Sequence, residues 1–382
     1  MTSLRDSMHR GGTGPRPCWS RSGPAGAMCS AEGVIRVMSE ITFDRDRVIY
    51  FLRDADAGER RGLYAMADAV RSECAGGGIH LRALLNISNC CDRACLYCGL
   101  RAGNENIARY RLDRKQIVDA AGRAAREGYG TIVMQSGEDP VLTTEFISSI
   151  IREIVSRHDM AVTLSLGERP RDVLRQWYDD GASRYLLKHE TSDPALYARL
   201  HPGMSFGTRM EMLSTLKEIG YQAGSGVMIG LPGQTWESLA GDIMLFRDLD
   251  IDMIGCGPYI ANPHTPLGST AEKEAGQVTA DEQTVLTVTA LNRLVTRDTH
   301  IAATTATKTL YSGGGLYRAL RSGANVVMPD VTPAPYREQY LIYPGKEPVD
   351  GIAGAAELRA ELIKQTGLEI AGGRGDRARC HS

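Results

Sequence analysis

About eight apolar segments alternate with helical stretches between residues 79 and 329, and this alternation limits the fold more than any other feature of the chain. The segments are IHLRALLNIS (79–88), TIVMQS (131–136), MAVTLSL (160–166), SRYLLKH (183–189), YQAGSGVMI (221–229), DMIGCGPY (252–259), IAATTA (301–306) and ANVVMP (324–329). Helical patterns fill the gaps near 114–128, 143–157, 170–181, 206–219, 236–249, 280–297 and 314–322. That many strand–helix units over roughly 250 residues is the size of a (β/α)8 barrel. An open doubly wound sheet is the alternative, weakened because no GxGxxG follows the first strand. The expectation is an α/β fold: a (β/α)8 TIM barrel with short N-terminal helices and disordered tails.

Residues 1–40 are rich in Gly, Pro, Ser and Arg and lack an apolar h-region. They read as a disordered or mis-called N-terminal extension, with Met28 or Met38 as alternative starts; a transit-like segment is the lesser reading. Helices near 43–54 and 57–74 place an N-terminal cap over 41–78. The barrel takes 79–350, and 351–382 give a C-terminal helix and then a Gly- and Arg-rich tail, AGGRGDRARCHS, that reads as disordered.

A strand turns successive side chains to opposite faces. In IHLRALLNIS, His80, Arg82, Asn86 and Ser88 oppose Ile79, Leu81, Ala83, Leu85 and Ile87. Thr163 and Ser165 share a face in the third segment, as do Arg184, Leu186, Lys188 and Glu190 in SRYLLKHE. The outer helices need the apolar faces, so the polar ones point into the lumen. A buried charge is costly unless paired or bound to ligand. The interior is therefore expected to be a polar cavity for charged small molecules.

The chemistry lies in the loop after the first strand. Cys91, Cys95 and Cys98 stand in the spacing CxxxCxxC. Three thiolates this close can hold three irons of a 4Fe–4S cube and leave the fourth iron open to chelate a small molecule. At this spacing the best-known chelator is S-adenosylmethionine, and the chemistry is radical. Structural zinc wants four ligands, usually in two separated pairs, and no second pair occurs downstream of Cys95 and Cys98. Cys90 reads as a spare thiol. Four of the nine cysteines crowd into 90–98, which suits a metal site in a reducing, cytoplasmic compartment better than a disulfide framework. A net charge of −2 recommends neither nucleic acid nor anionic membrane, and no apolar run nears the roughly 18 residues that span a bilayer.

Other candidates gather at strand ends. Tyr97 can lie against an adenine, or merely pack the loop. Backbone groups of Ser136, Gly137 and Glu138 end the second strand, where barrel sites form, and can bind an ammonium; an ordinary turn is the plainer reading. Glu190 and Arg209 can grip an aminoacyl carboxylate and a ribose. Thr304, Thr305, Tyr336 and Arg337 can line the cavity mouth, or serve turns and surface. The histidines are dispersed and no G-x-S-x-G elbow occurs, so hydrolysis has no support.

In chain order, CDRACLYCGLR, MQSGEDP, VTLSLGE, RYLLKHE, GLPGQT, TTA and GANVVMPDVTPAPYR resemble the HydE family of radical SAM maturases of FeFe-hydrogenases, over roughly residues 42–346. CxxxCxxC alone marks only the superfamily; CLYCGLR joined to QSGEDP and LSLGE is more specific. The resemblance implies a barrel of the radical SAM type with its cluster at the top of the lumen. It places the cluster on Cys91, Cys95 and Cys98, and S-adenosylmethionine near Tyr97, Ser136, Thr163, Ser165, Glu190 and Arg209. It places the substrate near Arg82, Arg184, Thr304, Thr305 and Tyr336, with Lys188 adding positive charge to the cavity.

Two departures stand out. The stretch YPGKEPVDGIAGAAELRAELI, where some members carry an auxiliary cluster, has no cysteine, so no auxiliary cluster is expected. Lys188 replaces a common arginine and loses its planar two-pronged donor. The implied function is reductive cleavage of S-adenosylmethionine to a 5′-deoxyadenosyl radical, in assembly of the hydrogenase di-iron subcluster. The implied partners are an external electron donor, a small-molecule or small iron-complex substrate, and other hydrogenase maturases. The alternatives are a HydE-like paralogue, a methylornithine- or biotin-synthase-like enzyme acting on an organic substrate, and a non-enzymatic iron–sulfur carrier.

Overall fold

Two helices capped by aspartates lead into the barrel. Asp44 caps Arg45–Arg53, and Asp56 caps Ala57–Cys74 through a capping box with Glu59. The computed structural model describes residues 42–270, 276–346 and 351–380; the expected extension over 1–40 lies outside them.

The first barrel strand is broken at Arg82 into β1 (Ile79–Leu81) and β2 (Ala83–Ser88). Then come β3 (Thr131–Ser136), β4 (Ala161–Ser165), β5 (Ala182–Leu186), β6 (Gln222–Ser225) and β7 (Met228–Ile229). They are followed by β8 (Met253–Ile254), β9 (Gly257–Pro258), β10 (His300–Ile301), β11 (Val326–Val327) and β12 (Ile370–Ala371). Seven pair in the order β10-β8-β6-β5-β4-β3-β2, all in parallel. β11 pairs in parallel with β1, and a bridge from Ala302 to Val326 ties it to the end of β10. The ring so closed is the expected (β/α)8 barrel. The helix Thr144–Arg157 buries one stripe, with Ile147, Ile150, Ile151 and Ile154, whereas Glu282–Thr296 is buried on every side from Thr284 to Leu294.

The register puts the polar faces inside. Asn86 lies beside Gln135, Gln135 beside Ser165, and Thr163 beside Arg184. Arg82 reaches Met253 Sδ at 2.9 Å, and Arg184 reaches Thr131 Oγ1 at 2.8 Å.

Three expectations need correction. Of IAATTA only Ile301 lies in a strand, as the second residue of β10; Thr304 instead caps the helix Thr305–Leu310, since its hydroxyl accepts from the Thr307 amide. Three other short helices, Pro194–Leu200, Pro266–Thr270 and Ala334–Arg337, escape periodicity because they are too short to show it.

The C-terminal segment is the third. It does not trail away among the described residues. β12 pairs with β1, and Arg374–Cys380 then crosses the N-terminal mouth of the barrel. Gly130 leaves room for it, since a Cβ there would stand 1.9 Å from Gly373 O. Arg377 Nη1 lies 3.0 Å from both Asp250 Oδ1 and Asp252 Oδ1, and its Nη2 pairs with Asp298. A Gly- and Arg-rich run looks disordered by composition. Here the carboxylates that fix it come from loops more than 70 residues away in sequence.

Candidate active site

β2 hands the chain to the cysteine loop at the carboxyl ends of the strands, where barrel sites form. Ser88 Oγ donates to Asp139 Oδ2 at 2.7 Å and accepts from the Cys90 amide at 3.1 Å. Arg111 grips the same carboxylate at 2.7 and 3.1 Å. The amides of Asp92, Leu96 and Gly99 donate to the carbonyls of Glu138, Leu200 and Ile342 at 3.0, 2.9 and 2.8 Å. The loop is thus fixed by segments far apart in sequence.

Gly99 and Gly137 make that fit possible. A Cβ at Gly99 would stand 2.1 Å from Leu341 O, and one at Gly137 2.3 Å from Cys90 O. Gly99→Ala is expected to lift the loop and cost about 1–3 kcal/mol of stability. Iron content after anaerobic reconstitution should fall with it; wild-type iron and stability would refute the tight fit.

Cys91, Cys95 and Cys98 are free and half-buried. Cys90 is buried and turned aside, its thiol 3.7 Å from the Tyr110 carbonyl. Burial raises all three motif thiols, Cys98 to about 12, and the neighbouring thiols push Cys95 further up. Among the described residues no three His, Cys, Asp or Glu side chains converge to hold a single metal ion. A cube makes no such demand, because each thiolate takes a different iron. The all-thiol donor set suits an iron–sulfur cluster.

An apolar cluster and a set of charged side chains lie around the loop. Tyr97, Met228 and Tyr259 pack against Leu196, Leu200 and Leu231. His201 Nδ1 lies 3.0 Å from the Tyr197 carbonyl, which can only accept, so this nitrogen carries the proton. His201 Nε2 then accepts from the Tyr97 hydroxyl at 2.9 Å. On the charged side, Glu190 has φ 64°, a left-handed conformation that costs a non-glycine residue roughly 1 kcal/mol or more. Among the described residues its Oε2 is buried without a hydrogen bond, 3.4 Å from Lys188 Nζ, and Thr163 Oγ1 is likewise buried with no hydrogen-bond partner. Strain and unmet polar atoms gather where ligands bind.

Arg209 Nε donates to Glu168 Oε1 at 2.7 Å, and Nη1 donates to the Lys188 carbonyl. The guanidinium also stands 5.7 Å from the centre of the Tyr197 ring. The two charged side chains are only 8% and 15% exposed. Glu168 escaped the sequence reading, although it ends the LSLGE run. Asp330, Tyr340 and Lys346 escaped it too. Asp330 Oδ2 accepts from Asn86 Nδ2 at 2.9 Å and pairs with Lys346 Nζ at 3.5 Å. Tyr340 accepts from Gln135 Nε2 at 3.0 Å. Asp330 follows the eighth strand directly and could have been found; nothing in the sequence marks Tyr340.

Several expected contacts are occupied by the chain itself. Ser136 Oγ donates to the Gly137 carbonyl, and the Glu138 carbonyl takes the Asp92 amide. The Glu138 carboxylate takes Arg93 and, at 3.0 Å, the Glu168 amide. Ser165 faces the lumen beside Gln135. Arg184 is fully buried and bound to the Arg374 carbonyl at 2.7 Å and to Asp376 Oδ1 at 2.6 Å, so its charge is answered by the C-terminal segment. Among the described residues Arg82 donates to the Met253 sulfur and the Gly375 carbonyl, and its Nε has no hydrogen-bond partner there. Thr304 serves its own helix, which Thr305 opens. Tyr336 accepts from Gln116 Nε2 at 3.1 Å and packs on Tyr110, engaged with the helix Arg114–Arg126.

Behind Glu190, His189 and Asp242 are both fully buried, with Nε2 and Oδ1 4.0 Å apart. Burial raises the Asp242 carboxyl to about 7 and lowers His189 to about 3. The folded chain therefore holds the Asp242 proton more tightly than the unfolded one. Stability from this group is complete below the ordinary carboxylate range and is lost as the pH rises towards 7. Asp242→Asn removes that loss. Its gain over wild type should grow by about 2–3 kcal/mol from pH 5 to pH 8 in urea unfolding. An unchanged difference between the two pH values would show that Asp242 does not titrate there.

The Radical SAM superfamily pattern matches residues 85–246, from β2 into the helix Trp236–Asp248. The [FeFe] hydrogenase maturase subunit HydE of Thermotoga maritima is 44% identical over 313 residues, 82% of this chain and 87% of that protein. The chain belongs to the HydE family. A more distant relative, the 3-methylornithine synthase of Methanosarcina acetivorans, is 27% identical over 70% of this chain and 74% of its own. Among solved structures, methylornithine synthase PylB superposes with a TM-score of 0.76 at 22% identity, covering 88% of this chain and 97% of that one. The maturase HydG of Carboxydothermus hydrogenoformans gives 0.71 at 19%, covering 87% and 78%. At those identities the two structures speak for the fold alone. Membership of the HydE family makes this chain a radical SAM enzyme and implies a 4Fe–4S cluster and S-adenosylmethionine. No helix among the described residues is long and apolar enough to cross a membrane.

Proposed function

We propose that this enzyme acts in maturation of the [FeFe] hydrogenase active site, with Cys91, Cys95 and Cys98 holding its cluster. The observation that carries the proposal is the trio of thiols pinned at the carboxyl end of a polar barrel, in a chain 44% identical to a HydE. When bound, the cluster and its cosubstrate supply a one-electron cleavage of the sulfonium C–S bond. The chain's part is to bind, orient and exclude water. Tyr97 and the apolar shelf of Leu196, Leu200 and Leu231 suit an adenine. The unmet oxygens of Glu190 and Thr163 suit hydroxyl and ammonium donors, and Arg209 suits a carboxylate. Arg82 and Lys188 give the lumen positive charge for an anionic, small iron-complex substrate. Ser136, Gly137 and Glu138 act through the loop they hold rather than as free ligand contacts.

No cysteine lies between Cys256 and Cys380, which supports a single cluster. The barrel over 79–350 and its helical cap over 41–78 form the working unit. A reducing cytoplasm, an external electron donor and the other maturases complete the setting.

Anaerobic reconstitution followed by reduction with S-adenosylmethionine should release 5′-deoxyadenosine. A hydrogenase maturation assay with this protein as the only variable should restore hydrogenase activity. Cleavage without maturation would favour a paralogue with an organic substrate. An intact cluster with no cleavage would leave an iron–sulfur carrier.

A further inference from the structure

A second set of thiols meets far from the cysteine loop. Cys74 is buried at the end of the helix Ala57–Cys74, and Cys380 stands 306 positions later in the C-terminal segment. Their sulfurs are 2.7 Å apart, closer than two unbonded sulfurs normally rest. The approach is built from both sides. The Cys380 amide donates to Asp298 Oδ2 at 2.9 Å, and Arg377 anchors the same segment on Asp250, Asp252 and Asp298. Arg297 Nη2 lies 3.7 Å from the Cys74 sulfur; burial pushes this thiol up to about 11 and the guanidinium offsets only part of that rise, so Cys74 is the resolving thiol rather than the attacking one. Neither thiol has a part in the cluster chemistry proposed above.

We propose that Cys74 and Cys380 form a reversible disulfide, made by exchange with an oxidised low-molecular-weight disulfide, that locks the C-terminal segment across the barrel mouth. Cys380 is the more accessible of the two and attacks first. As thiolate it breaks the S–S bond of RSSR, forms a mixed disulfide and releases one thiolate, which takes up a proton as RSH. Cys74 then loses its proton and attacks the Cys380 sulfur, expelling the second RSH. The two protein thiols lose two electrons between them; one RSSR gains them and becomes two RSH. The locked segment carries Asp376, which holds Arg184 in the lumen floor at 2.6 Å. The redox state of this pair therefore sets how firmly the floor of the reaction chamber is held.

The test uses the full chain, cluster-loaded and anaerobic, treated with oxidised glutathione, alkylated under denaturing conditions and digested with trypsin. The expected product is the peptide Ser72–Arg82 joined through a disulfide to Cys380–Ser382, present in wild type and absent in Cys380→Ser. Tryptic cleavage of the native protein after Arg374 and Arg377 should slow by roughly tenfold or more on oxidation, because cleavage follows local opening. Glutathione left on Cys380, or both thiols found alkylated, would overturn the proposal, as would tail cleavage at the same rate in both redox states. None of these readouts depends on cluster turnover.

Discussion

Cys95→Ala is expected to give a folded chain that holds no stable 4Fe–4S cluster and forms no 5′-deoxyadenosine. The fold should survive because the loop is fixed by the amides of Asp92, Leu96 and Gly99, not by the Cys95 sulfur. Removing one of three thiolates leaves a second iron without a protein ligand. The loss of turnover should exceed the roughly 100-fold that removal of a mere outer partner of a metal site can cost. Iron and sulfide analysis, the electron paramagnetic resonance signal of the reduced protein and product yield all read the outcome. Cys90→Ala is the control: its thiol faces the Tyr110 carbonyl, so cluster and turnover should persist. Turnover surviving in the Cys95 variant, or lost in the Cys90 variant, would break the assigned ligand set.

The second large effect is expected at the Arg209–Glu168 pair. Both side chains are nearly buried, so removing one partner strands the other charge away from water. Arg209→Ala should cost about 3–5 kcal/mol of stability, and Glu168→Ala a similar amount. The double variant Arg209→Met with Glu168→Leu leaves no stranded charge and should recover most of that loss. Affinity for S-adenosylmethionine, measured by calorimetry on the reconstituted protein, should fall in all three and stay low in the double variant. Stability and affinity recovering together would mean that the pair is structural only. No recovery of stability would mean that packing, not charge, dominates this site.

Much of the fold is legible because the signals are local. β3 and the helices Ala57–Cys74 and Phe206–Ile219 fall on the expected residues, β3 as a short apolar run and the helices between local stop signals, Asp56 at the start of one and Ser205 and Gly220 at the two ends of the other. The polar lumen follows from Arg82, Asn86, Thr163 and Arg184 sharing faces with one another across paired strands. The cysteine loop is legible from spacing alone. What was not legible depends on partners distant in sequence. Arg184 looks like a substrate contact until Asp376 is seen beside it. Tyr336 looks like a cavity residue until Gln116 takes its hydroxyl. Thr304 looks like the end of a strand until its hydroxyl caps a helix.

The sequence by itself determined the periodic elements, the number of barrel units and the CxxxCxxC motif, because each is written in residues a few positions apart. Only the tertiary structure decided which charges remain open to a ligand. A guanidinium is free or neutralised according to what the fold brings within about 4 Å, where charges interact strongly once water is excluded. The C-terminal segment shows the same principle. Its glycines and arginines specify no structure locally, and it is ordered only because Asp250, Asp252 and Asp298 meet it at the mouth of the barrel.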